Sequence, residues 1–159
     1  MIVSNTTPLS NFLHIERMDV LRQLFPALHA PMAVKLEIEE YFHENQTWRQ
    51  CLEKKFIRIH QVRASLLMNH LLHPGETEAL TLCLEQQADL CLLDDKDARI
   101  FAKLHGIKVT GTLGILLEAK KKGIIAAVRP LMDALRLKHS FWISEKMYQH
   151  VLCAAEELL

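Results

Sequence analysis

The 159-residue sequence has no excess charge of either sign: 19 Lys and Arg stand against 19 Asp and Glu, and the isoelectric point is near 7.1. Proteins that hold phosphate backbones by bulk charge carry a cationic surplus. Any nucleic-acid contact must therefore come from a local patch. Glycine and proline are scarce, five of each, and there is no repeat, low-complexity tract or Gly/Ser-rich linker, which excludes collagen-like and linker-dominated chains. No window approaches 18 uninterrupted apolar residues, and the opening MIVSNTTPLSNF has no basic segment before a long apolar one. The expectation is a cytoplasmic protein that does not engage a membrane. The four cysteines, Cys51, Cys83, Cys91 and Cys153, show no CxxC spacing. They are expected as buried thiols in a reducing compartment.

Half of the residues are hydrophobic, and a chain of this length can bury roughly 68–70 % of its unfolded surface without disulfides or structural metal. Short apolar runs alternate with helical spacing. Strands are expected at Ile2 to Ser4, His29 to Ala30, Lys55 to Val62, Leu90 to Leu93 and Ile107 to Thr110. Leu90-Cys91-Leu92-Leu93 is uniformly apolar, as a central parallel strand covered on both faces would be. Helices are expected from Pro8 to Phe12, Asp19 to Leu24, from Pro31 through Val34, Ile38, Tyr41 and Phe42, Ala64 to Leu72, Glu76 to Gln87, Ala98 to His105, and Gly111-Thr112 to Lys122. Two more are expected at Ile125 to Leu137 and Ser144 to Glu157, the second with Met147, Val151, Ala154 and Leu158 on one stripe. Strands alternating with helices imply a mostly parallel sheet in a three-layer α/β/α sandwich.

In open parallel sheets, ligands bind beyond the carboxyl ends of the strands. Asn5 ends the first strand, Asp94 and Asp95 end the apolar one, and Glu37 and Glu78 each lie about a turn into a helix. Glu76 is close by, but residues two apart on a helix point roughly 200° apart. Only one of Glu76 and Glu78 is expected to face the cleft. Two carboxylates about 4 Å apart repel by roughly 4 kcal/mol at an effective dielectric of about 20, and a divalent cation removes that penalty. Oxygen ligands without imidazole or thiolate suit magnesium or manganese, which can activate water for phosphodiester hydrolysis.

The segments IVSNTTPL at 2–9, AVKLEI at 33–38, HPGETEALTLCLE at 73–85 and LLDDKDARIFAKLHGIKVTGTLGIL at 92–116 resemble a PIN-domain protein of the VapC-like toxin ribonuclease group. The resemblance runs through essentially the whole chain. It implies a single PIN-like domain over 1–159, with C-terminal helices from about 125, and four positions that bind Mg2+ or Mn2+ and cleave RNA: Asn5, Glu37, Glu78 and Asp95. Asp94 and Glu76 are second choices as metal ligands. Thr6 and Thr112 are possible supporting hydroxyls, and Arg99 is a candidate phosphate contact. The implied partners are an RNA substrate, a small antitoxin protein and a second copy in a homodimer. Position 5 departs from the family, which has Asp there. An amide keeps the shape and loses the charge, so weakened metal binding and hydrolysis are expected, with a catalytically inactive RNA- or antitoxin-binding protein as the alternative.

Simpler roles compete with these. Asp94-Asp95 could cap the next helix, and Glu76 and Glu78 could favour a helix N-terminal dipole. His70 and His73 are expected to be structural or solvated. Lys120-Lys121-Lys122 with Arg129, Arg136 and Lys138 could line an RNA path or form a solvated helix face.

Overall fold

The computed structural model describes residues 1–63, 72–137 and 141–158. The apolar runs form five parallel strands: β1 (Ile2–Ser4), β2 (Leu28–Pro31), β3 (Ile57–His60), β4 (Leu90–Leu92) and β5 (Val109–Thr110), in the order β3-β2-β1-β4-β5. Every pair is parallel, so the connections must cross over through helices. These are α1 (Thr6–His14), α2 (Met18–Leu24), α3 (Met32–Phe42), α4 (Gln46–Glu53), α5 (Pro74–Gln86), α6 (Lys96–Leu104), α7 (Thr112–Lys121), α8 (Arg129–Arg136) and α9 (Glu145–Ala154). The expected helix from Ala64 to Leu72 falls almost entirely outside the described residues.

Alternation along the strands separates two cores. Val3, Cys91 and Leu93 pack on one face with Ala79, Leu80 and Cys83 of α5 and Ala98 and Ala102 of α6. Leu92 points the other way, into a larger cluster with Leu28, Ala30, Ile57, Leu9, Phe12 and the buried residues of α7, α8 and α9. The result is a three-layer α/β/α sandwich. None of the helices among the described residues is long and apolar enough to cross a membrane.

Three expectations about packing need correction. Cys153 is exposed, whereas Cys51, Cys83 and Cys91 are buried; all four are free thiols. Tyr41 does not join Val34 and Ile38 in the core but lies on the solvent side of α3. In α9 the inward stripe is Tyr148, Val151 and Leu152, while Met147, Ala154 and Leu158 are exposed. The helix starts at Glu145 under a Ser144 cap, and Tyr148 turns inward to donate to Asp133 Oδ1 at 2.7 Å.

Strand order also locates the ligand crevice. The chain runs β1, β2, β3 outward in one direction, then returns to lay β4 on the other side of β1 and continues to β5. The reversal falls between β1 and β4, so the crevice lies beyond their carboxyl ends. Asn5 follows β1 there, and Asp94 and Asp95 follow β4 closely.

Candidate active site

Asn5 is held at the crevice by backbone and side chain together. Its N–H donates to Leu92 O of the neighbouring strand at 3.0 Å, and its side-chain Oδ1 accepts from Thr6 N at 2.6 Å, capping α1. The residue is buried. Beside it, the Thr6 hydroxyl donates to Glu37 Oε2. Glu37 lies one turn and a half into α3, and its other oxygen accepts from Gly75 N at 3.0 Å. A Cβ at position 75 would lie 2.6 Å from Glu37 Oε2 and 2.7 Å from Oε1. Only glycine leaves the carboxylate that space.

The start of α5 separates the two glutamates. Glu76 is buried, with Oε2 accepting from His73 N at 3.0 Å across the helix start. Burial pushes its carboxyl above the usual range; the His73 amide counteracts this, and the charges of Asp95 and Glu37 add to the rise. Glu76 thus feels both other acids. Together with Asn5, Thr6, Thr7, Glu37 and His73 it lines a cavity of about 260 Å3. Glu78 turns away from that cavity and accepts from Ala33 N at 3.1 Å, at the start of α3. Of Glu76 and Glu78, the structure brings the second-choice Glu76 toward Glu37 and Asp95, as the roughly 200° between them allows for only one.

Asp95 and Asp94 also diverge. Asp95 caps α6, its Oδ1 accepting from Ala98 N at 2.8 Å, and its charge reaches Glu76. Asp94 is turned inward: Oδ1 accepts from Thr112 N at 2.8 Å and Oδ2 from the Thr112 hydroxyl at 2.6 Å. Burial raises its carboxyl, opposed by both Thr112 bonds and by the Arg99 charge. Thr112 is fully buried and also accepts from Asn11 Nδ2 at 3.0 Å, so its hydroxyl serves this network rather than the cleft. Arg99 donates to Leu93 O at 3.1 Å and stands against Asp94 and Gly111, where a Cβ would meet Asp94 Oδ1 at 2.6 Å and Arg99 Nη1 at 2.9 Å. Asp94, Thr112, Asn11 and Arg99 tie β4, α7, α1 and α6 together behind the cleft.

The charges of Glu37 and Asp95 both bear on Glu76, yet among the described residues no three His, Cys, Asp or Glu side chains meet at metal-binding distance. Asn5 supplies an amide where a fourth acid would complete the set. The donors are all hard oxygens, a chemistry that fits magnesium or manganese better than zinc, with one negative charge fewer than four carboxylates. His73 is the residue this site adds to those expected: a histidine expected to be structural or solvated both starts α5 and lines the cavity. Its place before Pro74-Gly75 was the available signal, since Pro in a first turn puts the preceding residue at a helix cap. His70 and Lys138 lie outside the described residues.

A family model described as a PIN domain matches residues 1–157 of the chain. No curated protein matches it.

Proposed function

The chain belongs to the PIN-domain family, whose members are generally nucleases, and on that premise we propose that it is a divalent-metal-dependent endoribonuclease, the toxin of a toxin–antitoxin pair, weakened by Asn5. The observation that carries this reading is the cavity that Asn5, Glu37 and Glu76 line together at the sheet's switch point, with Asp95 capping α6 close enough for its charge to bear on Glu76. Acids from such distant stretches are costly to bring together. A cation-binding role accounts for that cost.

In this reading Glu37, Glu76 and Asp95, with the Asn5 amide oxygen, hold Mg2+ or Mn2+, and Glu78 supports them from outside by fixing the start of α3. The cation supplies an activated water and neutralises charge on the phosphodiester. The chain's own part is orientation: Thr6 and the Gly75 amide aim Glu37, and the His73 amide aims Glu76. The proposed partners are RNA, a small antitoxin protein that masks the cleft, and a second copy of the chain.

A second reading, a catalytically inactive PIN-fold protein that binds RNA or antitoxin, is favoured by one detail. Asn5 Oδ1 is already engaged by Thr6 N, and the amide brings no charge to a cation. Asn5→Asp separates the two. Asp caps a helix as well as Asn does, so the fold is unaffected. Restoring one ligand charge is expected to raise manganese-dependent cleavage of single-stranded RNA by about tenfold or more, the scale on which even indirect ligand changes act. Isothermal titration with manganese should show tighter binding in parallel. No gain in either measurement would leave the inactive reading in place.

A further inference from the structure

We propose that a second, larger groove, along the β5 edge of the sheet, is the track for single-stranded RNA leading into the acidic cleft. The proposal rests on the nuclease reading for its substrate but on separate residues for its evidence. The groove has a volume of about 920 Å3 and a mostly apolar lining, to which Lys96, Arg99 and Lys103 of α6, Lys108 just before β5, and Phe141 and Trp142 ahead of α9 add cations and aromatic rings.

In the basic run expected to line an RNA path, Lys120 is bonded to Glu157, Lys122 pairs with Glu118 and Arg136 pairs with Glu145, while Lys121 forms no ion pair among the described residues. Lys96, Lys103 and Lys108 are exposed, and none forms an ion pair among the described residues. Of the acids near them two are occupied, while Asp97, next to Lys96 in the first turn of α6, is exposed and forms no ion pair among the described residues. Asp94 is bound by Thr112, and Asp89, which feels Lys108, is bound by the amino terminus. Four cations, Lys96, Arg99, Lys103 and Lys108, thus line one groove of a chain with no net charge.

Trp142 is 84 % exposed in the same groove. A large indole held in water beside unpaired lysines suits neither a core nor a plain solvated face. Lysines that follow a phosphate backbone beside aromatic rings that stack bases are the two parts of a single-strand binding groove. Asp94 and Lys96 both line the groove. They flank Asp95, which caps α6 at the carboxyl end of β4, the side of the sheet on which Asn5 also lies. A strand lying along the groove is thereby delivered to the acids.

The test measures binding without cleavage. Fluorescence anisotropy of a short, mixed-sequence, single-stranded RNA oligonucleotide is followed in EDTA for the full chain and for Trp142→Ala, Lys103→Ala, Lys108→Ala and, as a control on the opposite side of the sheet, Lys54→Ala. Trp142→Ala is expected to weaken binding about fivefold or more. Each groove lysine removed should reduce the steepness of the log Kd against log salt plot by about 0.7, and Lys54→Ala should change neither. All four side chains are exposed, so folding is preserved. Overturning results are no binding by the unaltered chain, or groove variants that bind like it. Binding that follows these expectations with no manganese-dependent cleavage, even by an Asn5→Asp chain, upholds the groove and removes the nuclease reading. Cleavage with unchanged KM in the groove variants does the reverse.

Discussion

Gly75 and Thr112 show how single residues shape this site without belonging to its acids. A methyl group at position 75 would collide with the Glu37 carboxylate, so Gly75→Ala must move either the start of α5 or Glu37 itself. Overpacking of this kind costs about 1–3 kcal/mol. The expected result is a lower urea midpoint together with weaker manganese binding in titration, whereas a stability change alone would mean that Glu37 had kept its place. Thr112→Val removes the hydroxyl that Asp94 and Asn11 share, leaving an inward-turned carboxylate with one bond fewer. A loss of about 1–3 kcal/mol is expected in denaturant unfolding. The acids at strand ends and helix starts were legible from the chain, because the crevice rule depends only on strand position. The choice between Glu76 and Glu78 was not. It depends on which way α5 is rotated about its axis, and that is set by Ala79, Leu80 and Cys83 packing under the sheet. Nor could local spacing reveal that Thr112 belongs to Asp94, since the contact joins groups 18 positions apart across β5.

At the scale of elements, capping and chemistry meet in Asp95. It accepts from Ala98 N at the start of α6, so its removal would be expected to destabilise the protein whether or not it binds a cation. Asn caps about as well as Asp, while Ala forfeits roughly 1 kcal/mol. Asp95→Asn should therefore unfold at the same denaturant concentration as the parent, and Asp95→Ala at a lower one. Both should reduce metal-dependent cleavage in the Asn5→Asp background. Cleavage that fell only in Asp95→Ala would make this carboxylate a cap and nothing more. The same capping logic explains α4, which the sequence reading passed over. Asn45 accepts from Trp48 N at 2.9 Å, and Trp48 and Cys51 are buried three residues apart. The signal was present as a cap followed by helical spacing, but only two inward residues in a short polar helix left the pattern faint. By contrast, β4 was legible at once, because a strand covered on both faces needs an unbroken apolar run.

For the whole molecule, two groups of ionisable residues pull stability in opposite directions with pH. Burial lowers the imidazole of His29 below its ordinary value, aided by the charges of His60, Arg58 and the amino terminus; its Nδ1 shares a 2.7 Å hydrogen bond with His60 Nε2 between β2 and β3. The unfolded chain takes up that proton first, so stability is lost as pH falls below about 6.5, the ordinary histidine value. Glu157 adds a second loss at lower pH. Burial acts to raise its carboxyl, but Lys120 and the Val128 and Arg129 amides outweigh it and hold the group below the usual carboxylate range. Glu157 fastens the end of the chain to α7 and the start of α8, and protonation there loosens all three. Glu76 and Asp94 work the other way, since burial raises both: their contribution is complete when they are protonated and is lost as pH rises through their folded values. The net curve hides these parts, and variants separate them. In metal-free buffer, His29→Asn is expected to remove the decline in Tm just below pH 6.5, and Glu157→Gln the further decline below the usual carboxylate range. Glu76→Gln should raise Tm at neutral pH, with the difference from the parent closing as pH is lowered. If the Glu76→Gln curve ran parallel to the parent's at every pH, the acid's ionisation would carry no folding cost, and with it would go the argument that this cleft is held together for the sake of a cation.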